Sequence, residues 1–400
     1  MSSHAHLHAP VGGPLWTRPF RVLVGIFVFC AIFFAYRFLG GLGASTALND
    51  GYPWGIWIAF DVVVGTALGC GGYAVALLVF VLNKGEYHPV VRPALLTSAL
   101  GYTMASISIH FDVGRPWLLW RIPVFSWHWN LNSALLEVAL CVMTYVAVLW
   151  IELSPALMEK WREGPEGFLK RTSEKAYPVV QKLLPWIIAL GLLLPTMHQS
   201  SLGTVMLLTG PKLHPLWNTP FLPLLFLVSC LGMGYAVVVF ESALASAILG
   251  RHRETEMLGK MAWVMVPVLS VFLLLRFADL AVRGKLSALG TLDLYSGMFL
   301  LETVLFLAPV LMLLSEKARR DAGNVFRAAM LMIVAGSLYR FDTYLVAFRP
   351  GSRFSYFPSF SEVMVTLGIV ALEVILYVVL VKYFPILSAP APAQPASARA

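Results

Sequence analysis

Apolar residues in this chain gather in runs of about 20, the length a helix needs to cross about 30 Å of hydrocarbon. Ten such runs recur, near 20–38, 55–82, 93–111, 132–152, 183–207, 221–248, 261–282, 292–314, 325–347 and 361–384. The pattern predicts an all-α, polytopic integral membrane protein with ten transmembrane helices. The first run is too long for a signal-peptide core and no small-x-small cleavage site follows it, so it reads as a retained span.

Composition agrees: 58% of the 400 residues are hydrophobic and 12% charged, a balance not expected of a soluble domain of this size. Lys and Arg set the orientation. With the N-terminus cytoplasmic, 19 of them fall on the cytoplasmic side and 8 outside. An even number of crossings puts the C-terminus on the same side, which predicts a multi-pass protein with both ends cytoplasmic. The net charge of +8 is then mostly a topology signal and implies no nucleic-acid partner. Cys30, Cys70, Cys141 and Cys230 all lie in spans without a C-x-x-C pair, so no metal or iron–sulfur site is expected in this chain and the thiols read as packing residues. The histidine-rich start (His4, His6, His8) and the Ala/Pro-rich end read as unstructured tails, and the charged connection at 152–182 as a segment along the membrane surface.

An internal echo organises the spans. GGYAV at 71–75 returns as GMGYAV at 232–237, an offset of 162 residues. At nearly the same offset HFDVGRPW faces LRFADLAVRGK, and SALLE faces SGMFLLE. This predicts a tail at 1–19, a peripheral helix at 20–38, a first four-helix bundle at 55–207, a second at 221–347, a last helix at 361–384 and a tail at 385–400.

The chemistry lies in charges within the spans: Asp61, Glu137, Glu241, Asp279, Glu302, Asp342 and Glu373, with His198, Arg276 and Arg340. At roughly 3 kcal/mol each on an insertion scale they cannot all face lipid unpaired. Arg276 and Asp279, three apart on one helical face, can neutralise each other. Asp61, Glu137 and His198 fall in the outer half of the first bundle, near His110, Asp112 and Arg115 and the aromatic Trp54. The stretch MHQSS at 197–201 follows Pro195, so its polar side chains serve either to satisfy a carbonyl that the proline frees or to form a site. Imidazole, carboxylates, guanidinium and aromatics at one depth suit a quinone: apolar walls for the ring, donors for its oxygens and a titratable group to supply protons. Glu241, Asp279, Glu302, Asp342 and Glu373 form a candidate proton ladder inward. An ion or solute transporter and a haem carrier ligated by His110 and His198 are competing readings.

The strings NDGYPWGIWIAFD, GCGGYA, KGEYHPVVRPALL, HFDVGRPW, LPTMHQSSLG, KLHPLW and FESAL resemble the integral membrane subunits of the NrfD-like, polysulfide-reductase family, most closely those of periplasm-facing Ni–Fe hydrogenases of the hydrogenase-2 type. The resemblance runs from about residue 16 to 388. It implies a subunit that binds menaquinone or ubiquinone near the periplasmic face. Its electrons would come from a ferredoxin-like iron–sulfur subunit fed by hydrogenase small and large subunits, and proton translocation is a further implication. Another NrfD-type oxidoreductase is the alternative assembly. Carried onto this sequence, His198 is the leading quinone partner or proton donor, Glu137 or Asp61 resupplies it, and Asp112 holds Arg115 in place, with Trp54 and His110 nearby. The family's frequent cytochrome b label is not matched by several paired histidines, and no haem is expected.

Overall fold

A computed structural model describes residues 8–249 and 255–389. Ten helices in it are long and apolar enough to cross a membrane: α1 Arg18–Gly40, α2 Trp57–Val81, α3 Gly85–Asp112, α4 Ala134–Arg162, α5 Phe168–Leu207, α6 Leu222–Ile248, α7 Thr255–Val282, α8 Leu294–Leu313, α9 Ala322–Val346 and α10 Phe360–Tyr383. Local chemistry fixes their starts. Asp293 and Ser359 close capping boxes at the heads of α8 and α10, and the Ser133 hydroxyl accepts from Leu136 N at the head of α4.

In packing, α2 to α5 are mutual neighbours and so are α6 to α9, with α2, α5, α6 and α9 making the contacts between the two sets. α1 pairs with α10, which rests on α3. α2 and α6 are the most buried spans, and they cross at the echoed sequence. A Cβ on Gly234 would lie 2.6 Å from the Cys70 carbonyl oxygen and 2.9 Å from Ala74 Cβ, while one on Gly71 would lie 3.1 Å from Val238 Cγ2. Each copy of the motif therefore supplies the small residue that lets the other approach.

Two segments differ from their sequence reading. The connection at 152–182 does not lie flat: α4 runs to Arg162 and α5 begins at Phe168, so only residues 163–167 turn. At 1.5 Å per residue the 40 residues of α5 span about 60 Å, twice the hydrocarbon thickness, and its first turns project with the end of α4 beyond the membrane. At the same face part of the supposed tails is ordered. Ala9 N donates to Leu387 O and Val11 N to Val381 O, and His8 Nδ1 lies 3.0 Å from Ile386 O. Burial, with Arg92 nearby, lowers the His8 pKa to about 4, so the ring clasps the far end of the chain as a neutral donor. His4 and His6 lie outside the described residues.

Candidate functional site

The polar run on α5 is wrapped on all sides: His198 and Gln199 have no exposed surface and Ser201 almost none. Pro195 frees the carbonyl of Gly191, yet the nearby side chains bond elsewhere. Thr196 Oγ1 donates to Leu192 O, His198 Nδ1 lies 3.1 Å from Leu194 O, and Ser200 and Ser201 both donate to Met197 O. Repair of the proline kink therefore does not explain His198. Because a carbonyl only accepts, Nδ1 is the donor, and in the neutral ring Nε2 is left as acceptor. Nε2 lies 2.9 Å from the Tyr102 hydroxyl and 3.0 Å from Gln199 Nε2, which also donates to Thr66 Oγ1. Tyr145 stacks edge-on against Tyr102, and Gln199 Oε1 is buried with no hydrogen-bond partner. The cluster thus holds donors, an acceptor and one unfilled acceptor position inside an apolar wall.

Asp61 belongs to a different group. It sits in a π-helical stretch, Trp57–Val64, a backbone form that recurs at functional sites. Its Oδ2 accepts from Thr366 of α10 at 3.0 Å, while Oδ1 is buried without a partner. Glu373, two turns further along α10, is near enough for its charge to act on Asp61 and also on Glu241. Glu241 accepts from Thr97 at 2.6 Å through Oε1, and its Oε2 has no partner. Asp61, Glu373 and Glu241 therefore run in series along the seam of α2, α3, α6 and α10, with no ion pair among the described residues.

Other expected members are not brought to His198. His110 is exposed, with Nδ1 2.8 Å from Ser106 O one turn back. Arg115 is exposed and does not pair with Asp112. The cation beside Asp112 is instead Arg37 of α1, whose guanidinium enters the protein and donates to the carbonyls of Phe111 and Val113 at 2.6 and 2.8 Å. This caps the end of α3 and leaves Arg115 outside. Glu137 sits in the first turn of α4, half-buried, without a side-chain hydrogen bond. Trp54 donates to Tyr344 O at 3.1 Å and stacks on Phe348, which ties the loop before α2 to the end of α9.

In the second set of helices two of the acids find cations. Arg276 passes over Asp279 to contact Glu302 at 2.6 Å, both fully inside the protein, and Trp217 Nε1 donates to Glu302 Oε1 at 3.0 Å. Asp279 pairs with Arg283 one turn on at 3.2 Å. The sequence reading of Arg276 with Asp279 fails because Arg276 lies over the ring of Phe299 on α8, which turns it toward the neighbouring helix. Asp342 begins another π-helical stretch and has both oxygens buried and unbonded. Arg340 is bonded to Phe226 O and, more weakly, to Val63 O and Ser229.

Sequence reasoning missed Tyr102, Tyr145, Thr366 and Arg37. A signal existed for the first: α3 is the least hydropathic of the ten spans and carries Thr97, Ser98, Tyr102, Thr103, Ser106 and Ser108. Nothing in sequence marks Arg37 or Thr366, whose partners lie 74 and 305 residues away.

A model of the family described as "Polysulphide reductase, NrfD" matches residues 44–347. The chain is 40% identical, over 96% of its own length and 96% of the relative's, to the "Probable Ni/Fe-hydrogenase 2 b-type cytochrome subunit" of Escherichia coli. It is 28% identical, over 90% of each protein, to the "Menaquinone reductase, integral membrane subunit" of Nitratidesulfovibrio vulgaris. It also matches a component of the polysulfide reductase of Wolinella succinogenes at 28% identity, over 42% of its own length and 51% of the relative's. The first of these names overturns the expectation of no haem, because a full-length relative is called a b-type cytochrome subunit. In the present arrangement His198 would have to give up Tyr102 and Gln199 to ligate an iron. Ten apolar spans, the matched family and the full-length relatives together make this chain a multi-pass membrane protein of the NrfD family, the family of oxidoreductase membrane subunits.

Proposed function

We propose that the chain is the quinone-reacting membrane subunit of a respiratory complex, taking electrons from a partner iron–sulfur subunit of a Ni–Fe hydrogenase on the face opposite the termini. The observation that carries this reading is the closed His198–Tyr102–Gln199 network with its orphaned Gln199 Oε1. The full-length relatives named for a hydrogenase and for a menaquinone reductase support the class of reaction. A bound quinone would supply the two-electron, two-proton couple. The chain's part is proton handling: the Tyr102 hydroxyl gives its proton to a ring oxygen and takes another from His198 Nε2, the resting acceptor, once that nitrogen has been protonated, while the unfilled Gln199 Oε1 accepts from a ring hydroxyl. Because His198 has no exposed surface, the geometry favours a relay role over direct ring contact. In the same reading the series Asp61, Glu373 and Glu241 resupplies protons from the termini face, with Glu302 and Asp279, each beside a guanidinium, and the unpaired Asp342 as a second group. By the charge pattern the termini face is cytoplasmic, and the bacterial relatives support an inner membrane.

His198→Ala and Tyr102→Phe, assayed as the membrane-embedded complex, are expected to assemble normally. Hydrogen-dependent quinone reduction should fall at least 100-fold in the first and several-fold in the second, in the range of general acid–base contributions. Wild-type turnover in His198→Ala overturns the assignment. The name of the hydrogenase relative also supports a haem in this chain, read by the visible spectrum of the dithionite-reduced protein.

A further inference from the structure

Between α3, α6 and α10, in the half of the membrane nearer the termini, lies a crevice of about 340 Å³ open toward lipid. Leu244 and Val374 are among its apolar walls, while Thr97, Glu241, Glu373 and Tyr377 bring polar groups to it. Counting 1.5 Å per residue from Val91, Leu249 and Tyr383, where the regular α-helix of each span ends at that face, Thr97 lies about 9 Å in, Glu241 about 12 Å and Glu373 about 15 Å. Three helices thus place the polar floor at one depth, below the level of lipid headgroups. Thr97 occupies Glu241 Oε1, and Oε2 is buried and unpartnered. Gly101 leaves room for the neighbouring acid, since a Cβ there would sit 3.5 Å from Glu373 Oε1.

The chemistry of this floor selects its occupant. A phospholipid headgroup does not reach this depth, and an acyl tail would fill the walls while offering nothing to Glu241 Oε2 or Glu373. A charged amphiphile would have to leave its hydration behind to enter. What fits is a neutral, flat molecule with hydroxyl or carbonyl oxygens on a ring and an apolar tail. Its hydroxyl donates to Glu241 Oε2 and a second oxygen meets Tyr377 or Glu373. The volume is in the range of small-molecule sites. A narrower space of about 40 Å³ continues from Glu241 and Tyr377 past Ser242 and Ser388 toward the termini face, enough for one or a few waters.

From this we infer that the α3–α6–α10 crevice is a second binding site for a quinol-class lipid, remote from His198 and in the opposite half of the membrane. It does not depend on the His198 reading. The test is photolabelling of the intact membrane-embedded protein with an azidoquinone bearing an isoprenoid tail, followed by peptide mapping. Label is expected on residues 240–248 and 373–378. Leu244→Trp, which fills the crevice from its lipid side, should reduce that label at least tenfold, and Glu241→Gln severalfold. Label near Tyr102 and His198 should persist in Leu244→Trp, so failure of one site is distinguishable from failure of the other. The inference is overturned by absence of label at 240–248 and 373–378, by equal label in Leu244→Trp, or by equal labelling with an azido fatty acid, which would mark a groove for acyl tails only.

Discussion

Two groups of buried acids occupy this protein, and they are built on opposite principles. In the α6–α9 half, Glu302 faces Arg276 and Asp279 faces Arg283. Along the seam of α2, α3, α6 and α10, Asp61, Glu373 and Glu241 meet only hydroxyls or nothing. Removing either partner of a buried carboxylate–guanidinium pair strands the other in a medium that cannot solvate it. A carboxyl with only a hydroxyl for company gains nothing from staying charged, so gaining or losing a proton there disturbs little else. The first arrangement suits holding helices in place. The second suits passing protons.

The sharpest way to break this contrast is to remove Arg276. Arg276→Met should destabilise the folded protein by about 3–5 kcal/mol, the cost typical of stranding a buried charge. Arg276→Met with Glu302→Leu should recover most of that loss, both read as thermal unfolding midpoints in detergent. If the single variant unfolds like wild type, Arg276 is not holding the α7–α8 contact. Asp61→Asn should behave the other way. The Thr366 contact survives, so unfolding should shift by less than about 1 kcal/mol, within the range of a typical hydrogen bond, while quinone-linked turnover collapses. A smaller effect is due at Arg283, which is partly exposed: Arg283→Ala should cost about 1 kcal/mol or less.

Smallest is a pH effect at the loop between α5 and α6, where His214 stacks on Tyr295 at 4.4 Å. Burial, then the nearby Arg349, lowers its pKa below 6.5, against a weaker opposing effect of Asp293. The unfolded chain therefore binds more protons than the folded one on acidification. The contribution is fully present above about 6.5 and declines as pH falls below it. Comparing unfolding midpoints at pH 7.5 and 5.5 should show a small acid loss that His214→Gln abolishes.

The sequence made the spans legible and left their partners largely hidden. All ten helices fall on the apolar runs because hydrocarbon thickness dictates run length, whereas the crossing of α2 and α6 at Gly71 and Gly234, in the two copies of the echo, emerged only from the structure. Arg276 was misassigned to Asp279 because spacing along one helix says nothing about the ring of Phe299 on the next. The π-helical turn under Asp61 left no mark in composition, and the clasp of His8 on Ile386 joins residues 378 apart. Where polarity itself was unusual, at MHQSS, the pattern picked out side chains that the structure encloses among hydrogen bonds. It did not mark Tyr102, which meets His198, and it grouped with His198 the exposed His110.

The clasp carries one further consequence. Because residues 8–12 run against 381–388, the chain is nearly a closed loop, and its order of synthesis is separable from its architecture. A circular permutant opened at the 163–167 turn, with the old ends joined by a short linker, would begin with α5 and finish with α4. Both new ends would emerge at the face the native termini occupy, and every helix would cross in its original direction.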